Sequence, residues 1–241
     1  MPTVKEHYDN VLSDVYAWMC GGFTAGIQKN MDFFETRKIT PTRSGVAIDL
    51  GAGCGFQSIP LARAGFSVTA IDTDRKLLDE LRRHSGELPI SVIQEDIVDF
   101  DKHTGGNAEL IVCMTDTLIH LESEDRARTL FRKVISSLEE GGKFVVTFRD
   151  LSPELSELDR FILVRSDKNI IFTCFLEHER DTVKVYDLVH MREGEQWTLN
   201  KSYYRKLRRS KQWIDEQLSS IGFSNIDSTV DKGFVTVIAT K

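Results

Sequence analysis

The sequence predicts an α/β fold: a mainly parallel sheet covered by helices on both faces, with an antiparallel β unit placed late in the chain. Three observations predict it. An apolar stretch, Val46–Leu50, runs into a glycine-rich turn, Gly51-Ala52-Gly53-Cys54-Gly55, and then into a helical pattern. Strand-like and helix-like segments alternate from there to Arg149, the pattern of a parallel sheet with crossover helices. After Asp150 consecutive β-rich segments replace the alternation. With 241 residues, 41% of them hydrophobic, the chain is long enough for one such domain and an inserted or appended cap.

Each element follows from local pattern. Residues 5–35 read as helical, with Val11, Leu12, Val15 and Trp18 at helical spacing. Gly21-Gly22 breaks the run, and a second short helix is expected after it. Strands are expected at 46–50, 67–71, 89–94, 109–114 and 143–148. Helices are expected at 56–64, closed by Gly65, at 74–84, and at 123–138, closed by Gly141-Gly142. Residues 169–178, 182–191 and 196–207 are rich in β-branched and aromatic residues and read as an antiparallel meander. Trp213, Leu218 and Ile221 mark a last helix, and 225–230 with 233–239 a closing hairpin.

The glycine turn points to a ligand laid against bare backbone. Asp72 ends the second strand, where an acid can accept hydrogen bonds from both hydroxyls of a ribose. Together they indicate a nucleoside-bearing cofactor. A dinucleotide fingerprint, G-x-G-x-x-G, fits Gly51 and Gly53, but its third glycine falls on Phe56, which would occupy part of a pyrophosphate's approach to the helix. The pattern D-x-G-x-G-x-G with the later acid resembles motif I of class I S-adenosylmethionine-dependent methyltransferases, and the resemblance covers about 45–149 and 211–240. It implies a Rossmann-like seven-stranded sheet with the last strand antiparallel, helices on both faces and an antiparallel β lid. It also implies a cofactor domain formed by 1–150 and 208–241, with residues 1–40 as a helical flap and 151–207 as an inserted lid or substrate platform. The cofactor implied is S-adenosyl-L-methionine.

The same resemblance assigns candidate site residues. Gly51, Ala52, Gly53 and Gly55 would lie against the methionine part of the cofactor, with Asp49 beneath the turn orienting its ammonium. Asp72 and Thr73 would meet the ribose and adenosine region, and Asp96 and Ile97 the adenine. Met114 and Thr115 follow the fourth strand and would face the methyl group. The run Met114–Leu121, ending in His120-Leu121, resembles the corresponding segment of small-molecule N-methyltransferases of the glycine N-methyltransferase type, making His120 the catalytic candidate. Tyr8 and Tyr16 would close over the cofactor. Asp116, Arg149, Tyr203, Tyr204 and Arg205 are the candidates for the substrate, strand alternation sending one of the two tyrosines inward.

Composition narrows the function. A net charge of −6 argues against general nucleic-acid binding, which needs a basic surface. The basic run 201–211 keeps an RNA methyltransferase open as an alternative. Cys20, Cys54, Cys113 and Cys174 form no C-x-x-C pair, which fits a reduced protein without structural zinc. No metal-ligand spacing is present, and no apolar run is long enough to span a membrane. A cytoplasmic methyltransferase with a small-molecule acceptor, an amine among the candidates, is the expectation. A nicotinamide-dependent oxidoreductase and a non-catalytic S-adenosylmethionine-binding module are the other readings. Oligomeric state is not specified by the sequence.

Overall fold

A computed structural model describes residues 3–241. Eleven strands form two sheets among the described residues. The larger has seven strands: β1 (Val46–Leu50), β2 (Ser67–Asp72), β3 (Ile90–Gln94), β4 (Ala108–Cys113), β5 (Leu138–Arg149), β10 (Ser224–Asp231) and β11 (Phe234–Thr240). Their spatial order is β10-β11-β5-β4-β1-β2-β3. Strands β1 to β5 are parallel, and β11 runs antiparallel to both β5 and β10. The seven-stranded sheet and its reversed last strand match the expected fold.

Helices α4 (Ser58–Arg63), α5 (Arg75–Ser85), α6 (Glu124–Ser137) and α7 (Lys211–Ser220) connect these strands. Alternation along the central strands sorts side chains between two layers. Ile48, Leu50, Ile111, Phe144 and Phe148 pack with Phe131 and Val134 of α6 and Ile214 and Leu218 of α7. Ala47, Val112 and Val145 pack with Leu61 of α4 and with Phe34. Each fully buried Val, Leu, Ile or Phe among them stabilises the fold by roughly 1.5–3 kcal/mol.

Phe34 belongs to the N-terminal region, where α1 (Val4–His7) runs into a wide helical turn at Tyr8–Leu12 and is followed by α2 (Tyr16–Met19) and α3 (Phe23–Thr36). Helix α3 has 14 residues rather than being short. Its Gly26 is not a breaker: a Cβ there would lie 2.5 Å from the Phe56 ring, so glycine lets that ring pack into the helix. Strand β5 also begins earlier than expected. Leu138 pairs with Ala108 and Lys143 with Leu110, and the residues between, both glycines included, form a bulge, so the glycines lie inside β5 and do not end a helix.

The smaller sheet is antiparallel, in order β6 (Phe161–Ser166), β7 (Ile170–His178), β8 (Thr182–Glu193), β9 (Gln196–Leu207). β7 to β9 were expected. β6 was not, because Phe161-Ile162-Leu163-Val164 shows no alternation; it is a largely exposed edge strand. One face of this sheet, with Phe172, Leu176, Val183, Val185 and Val189, buries Val11, Leu12 and Val15 of the N-terminal region. The segment 4–19 therefore packs on the small sheet, while α3 packs on the large sheet beside α4.

Candidate active site

A cavity of about 470 Å³ opens at the carboxyl ends of the parallel strands. Four successive strand ends supply one side: Gly51 and Gly53 after β1, Asp72 and Thr73 at the end of β2, Asp96 and Ile97 after β3, and Thr115, Thr117 and His120 after β4. Thr3, Val4, Lys5 and Tyr8 close it from the N-terminus together with Tyr16. Thr182, Arg205, Lys206 and Leu207 close it from the small sheet.

The glycine turn shows what it can bind. Gly51 has φ +82°, a left-handed conformation that glycine adopts freely. A Cβ on Gly51 would fall 2.3 Å from Oγ1 and Cγ2 of Thr117. The N–H groups of Gly51 and Ala52 donate to the Ile71 carbonyl at 2.8 and 3.0 Å, and that of Gly55 to the Ala52 carbonyl at 2.9 Å. Gly53 N–H donates to Asp72 Oδ2 at 2.8 Å. A phosphate cradle needs free N–H groups, and these four are spent. The turn thus disfavours a pyrophosphate through its backbone. Phe56, expected to obstruct that approach, is instead buried against Gly26, Tyr16 and Phe23. Ala52 and Gly55 do not line the cavity, contrary to expectation. Ala52 is buried in an apolar cluster and Gly55 abuts Leu81, so only Gly51 and Gly53 present the turn to a ligand.

Three acids stand near the turn. Asp72 Oδ1 accepts the Asp74 N–H at 2.8 Å, and with Gly53 on Oδ2 each carboxylate oxygen keeps accepting capacity toward the cavity. Burial raises the Asp72 carboxyl above its usual range, against the pull of those backbone donors. Asp96 caps a short helical turn through the Val98 N–H and pairs with Arg126 through Oδ2. Both Asp96 and Arg126 line the cavity. Asp49 lies under the turn and does not line the cavity. Its Oδ2 accepts from Ser58 Oγ at 2.6 Å, and its Oδ1 is buried without a partner among the described residues.

Burial pushes the Asp49 carboxyl from 3.8 up to about 7. Between those values the folded chain holds a proton that the unfolded chain has lost. Stability from this group is therefore full below about pH 4 and declines as pH rises to 7, by at most about 1.4 kcal/mol per unit. Asp49→Asn keeps the Ser58 bond without the ionisation. Its thermal unfolding temperature should gain on the parent's steadily from pH 4 to pH 7; a constant difference would show that Asp49 titrates normally.

The far end of the cavity is built from the β4 tip. Thr115 and Asp116 are both left-handed, at φ +57° and +69°, a strain of about 1–3 kcal/mol each of the kind found at functional sites. Thr115 is held by Thr147 Oγ1 on its N–H and by Gln57 on its hydroxyl. His120 lines the cavity between the rings of Tyr8 and Tyr204, at 5.8 and 5.5 Å. Its Nε2 has no partner among the described residues. Burial, reinforced by the Lys206 charge, pushes the imidazole down to about 3, so it is uncharged near neutral pH. Tyr8 and Tyr16 both line the cavity, 6.2 Å apart by ring centroid, and burial raises both hydroxyls well above their usual range.

Several expected contacts fall elsewhere. The Met114 side chain is buried with Phe34 and Val112 in the opposite core, because alternation at the end of β4 turns it away. Asp116 does not line the cavity: Arg149 N–H binds its Oδ1 and Lys206 Nζ its Oδ2, both at 2.7 Å. The Arg149 side chain is mostly exposed, with Nε 3.7 Å from Asp116. Tyr203 leans on Tyr186, with ring centroids 5.3 Å apart, on the face of β9 away from the helices. Tyr204 points inward but sits behind the wall, 4.3 Å from the His7 ring. Arg205 does reach the cavity, paired with Glu179 at 2.7 Å. The sequence reading missed Lys206, which shares the inward face with Tyr204 and which alternation alone could have found. It also missed Thr117 and Arg126, and the buried pair His7–Asp187 (2.8 Å), for which the sequence carries no signal.

Comparison with known proteins agrees with this geometry. Residues 47–142 match the family model described as a methyltransferase domain. Glycine N-methyltransferase of Oryctolagus cuniculus is 28% identical over 124 residues, which is 45% of this chain and 42% of that protein. The chain thus matches less than half the length of that relative. Among solved structures, the CcbJ methyltransferase from Streptomyces caelestis superposes with a TM-score of 0.78 at 19% identity, over 96% of both chains. S-adenosylmethionine-bound CalS10, an amino pentose methyltransferase from Micromonospora echinaspora, gives 0.70 at 13% identity, over 94% of this chain and 95% of that one. With a glycine turn after β1, an acid lining the cavity at the tip of β2 and the seven-stranded sheet with its reversed strand, the chain has the fold of these solved methyltransferases, and its residues 47–142 are similar to a methyltransferase domain.

Proposed function

We propose that this enzyme methylates a small-molecule amine in the cavity between its two sheets, with catalysis mainly by positioning. The observation that carries this reading is the make-up of the cavity walls. One end holds the Gly51–Gly53 turn, Asp72 and Asp96, and the other is closed by His120, Tyr8, Arg205 and Lys206. The residues present fit the cofactor. Asp72 keeps acceptor capacity for a diol, Asp96 and Ile97 border a place for adenine, and Tyr8 and Tyr16 offer protonated hydroxyls for a carboxylate. When bound, S-adenosylmethionine supplies an electrophilic methyl group on a sulfonium that leaves readily. The chain's own task is then to align the acceptor and exclude water. A neutral amine needs no strong base before attack. His120, uncharged and with Nε2 unpartnered, orients the acceptor rather than removing its proton.

In this reading residues 1–40 serve as a flap and 151–207 as a lid and substrate platform on a cofactor domain of 1–150 and 208–241. Similarity to a glycine N-methyltransferase supports the amine. The RNA reading loses support because the basic pair it needs is engaged internally. Arg208 holds the Ser152 carbonyl and Glu154, and Arg209 is paired with Glu124. The test is a radiolabelled methyl-transfer assay over matched panels of amines and phenols. N-methylated product with S-adenosylhomocysteine is expected. Product from phenols alone would overturn the amine, and cofactor binding without any turnover would favour a non-catalytic module.

A further inference from the structure

We propose that Lys206 recognises an anionic oxygen, carboxylate or phosphate, on the methyl acceptor. The inference rests on the methyl-transfer reading and names the acceptor class for that cavity: an amine that also carries an acidic group. Lys206 is the penultimate residue of β9, its side chain is 11% exposed and it lines the cavity. Its ammonium has three donors. One goes to Asp116 Oδ2 at 2.7 Å, and Asp116 is its one hydrogen-bond partner among the described residues. The Tyr204 ring lies 5.7 Å from Nζ and accepts no directed bond from it. Two donors are left for what enters the cavity.

The charge balance points the same way. Asp116 is shared, with Arg149 N–H on Oδ1 and the Arg149 guanidinium 3.7 Å from Oδ2. One carboxylate thus serves two cations, leaving a local positive excess, while Asp116 fixes where the Lys206 ammonium points. His120, the titratable side chain beside it, is uncharged. The other acids lining the cavity are engaged elsewhere or exposed: Asp72 holds the Gly53 and Asp74 N–H groups, Asp74 the Leu77 N–H and the Ser13 hydroxyl, Asp96 pairs with Arg126, and Glu122 is exposed. An acceptor with an amine at one end and an anion at the other matches this polarity, and in a partly desolvated cavity the charge-assisted bond is stronger than in water.

The test is calorimetric titration of acetate, inorganic phosphate and, as a neutral control, acetamide into the purified chain with and without S-adenosylhomocysteine. Saturable binding of one anion, at least tenfold weaker in Lys206→Met and retained in Lys206→Arg, is expected; whichever anion binds identifies carboxylate or phosphate. Asp116→Asn, which releases Lys206 in a residue type that tolerates the left-handed backbone, should bind the same anion at least as tightly, and it decides the matter if Lys206→Met does not fold. Absence of saturable binding by either anion, or binding unchanged in Lys206→Met, overturns the proposal. Failure of S-adenosylhomocysteine to bind would overturn the methyl-transfer reading instead, and the arm without it reads Lys206 independently.

Discussion

Asp72→Ala should weaken S-adenosylhomocysteine binding by about 10²–10³-fold in a calorimetric titration. The carboxylate sits at the tip of β2, with Gly53 N–H on one oxygen and Asp74 N–H on the other. Those bonds fix its orientation, and its remaining lone pairs face the cavity that it lines. A hydrogen bond to a charged group contributes about 1.5–3 kcal/mol. Losing two of them to ribose hydroxyls at a half-buried carboxylate, each in the lower part of that range, comes to about 3–4 kcal/mol, and each 1.4 kcal/mol is a factor of ten. The unliganded variant should remain folded, since the two N–H groups it strands border the cavity and can reach water. An affinity within threefold of the parent's would remove Asp72 from the site and, with it, the nucleoside argument.

That prediction could have been framed from the sequence, because the residues behind it act through local pattern. A strand must end where Val46–Leu50 meets a glycine turn, and an acid one strand further on must stand beside that turn. The alternation of strands and helices then sets the sheet. Legibility fails where tertiary partners decide. From the turn alone Phe56 is expected to obstruct a pyrophosphate, yet it packs into the gap at Gly26, a residue 30 positions earlier whose missing Cβ has no local signature. Met114 continues the alternation of Leu110 and Val112 into the opposite core, while a left-handed backbone at Thr115 and Asp116 redirects those two; nothing in Thr-Asp announces it. In β9 the inward face is set by sequence only to within one residue, so Tyr203, Tyr204 and Arg205 stand as candidates and Lys206 does not. A one-residue slip in a strand exchanges its two faces, which is why site residues on a lid are harder to read than those on a motif.

The pair His7–Asp187 lies wholly beyond that reach and yields the second large effect, on stability. His7 Nε2 donates to Asp187 Oδ2 at 2.8 Å, with the two side chains 0% and 3% exposed. The bond joins α1 to β8, and the His7 ring also packs against Tyr204 at 4.3 Å. Asp187→Leu leaves the buried imidazole N–H without an acceptor, and stranding one partner of a buried polar or ionic pair costs about 3 kcal/mol, more if the lost partner balanced a charge. For a chain of this size that is a fall in unfolding temperature of roughly 6–12 °C. Replacing both partners, His7→Phe with Asp187→Leu, removes the stranded donor along with its partner and should restore most of the loss, a coupling that a double-mutant cycle reads directly. Because α1 contributes Val4 and Lys5 to the cavity wall and Tyr8 follows it at once, the single variant should also loosen cofactor binding, while the double variant regains it as the helix settles back onto the small sheet. If the two substitutions are instead additive in unfolding temperature, the pair contributes packing alone, and the N-terminal wall is held by the contacts of Val11, Leu12 and Val15 with that sheet.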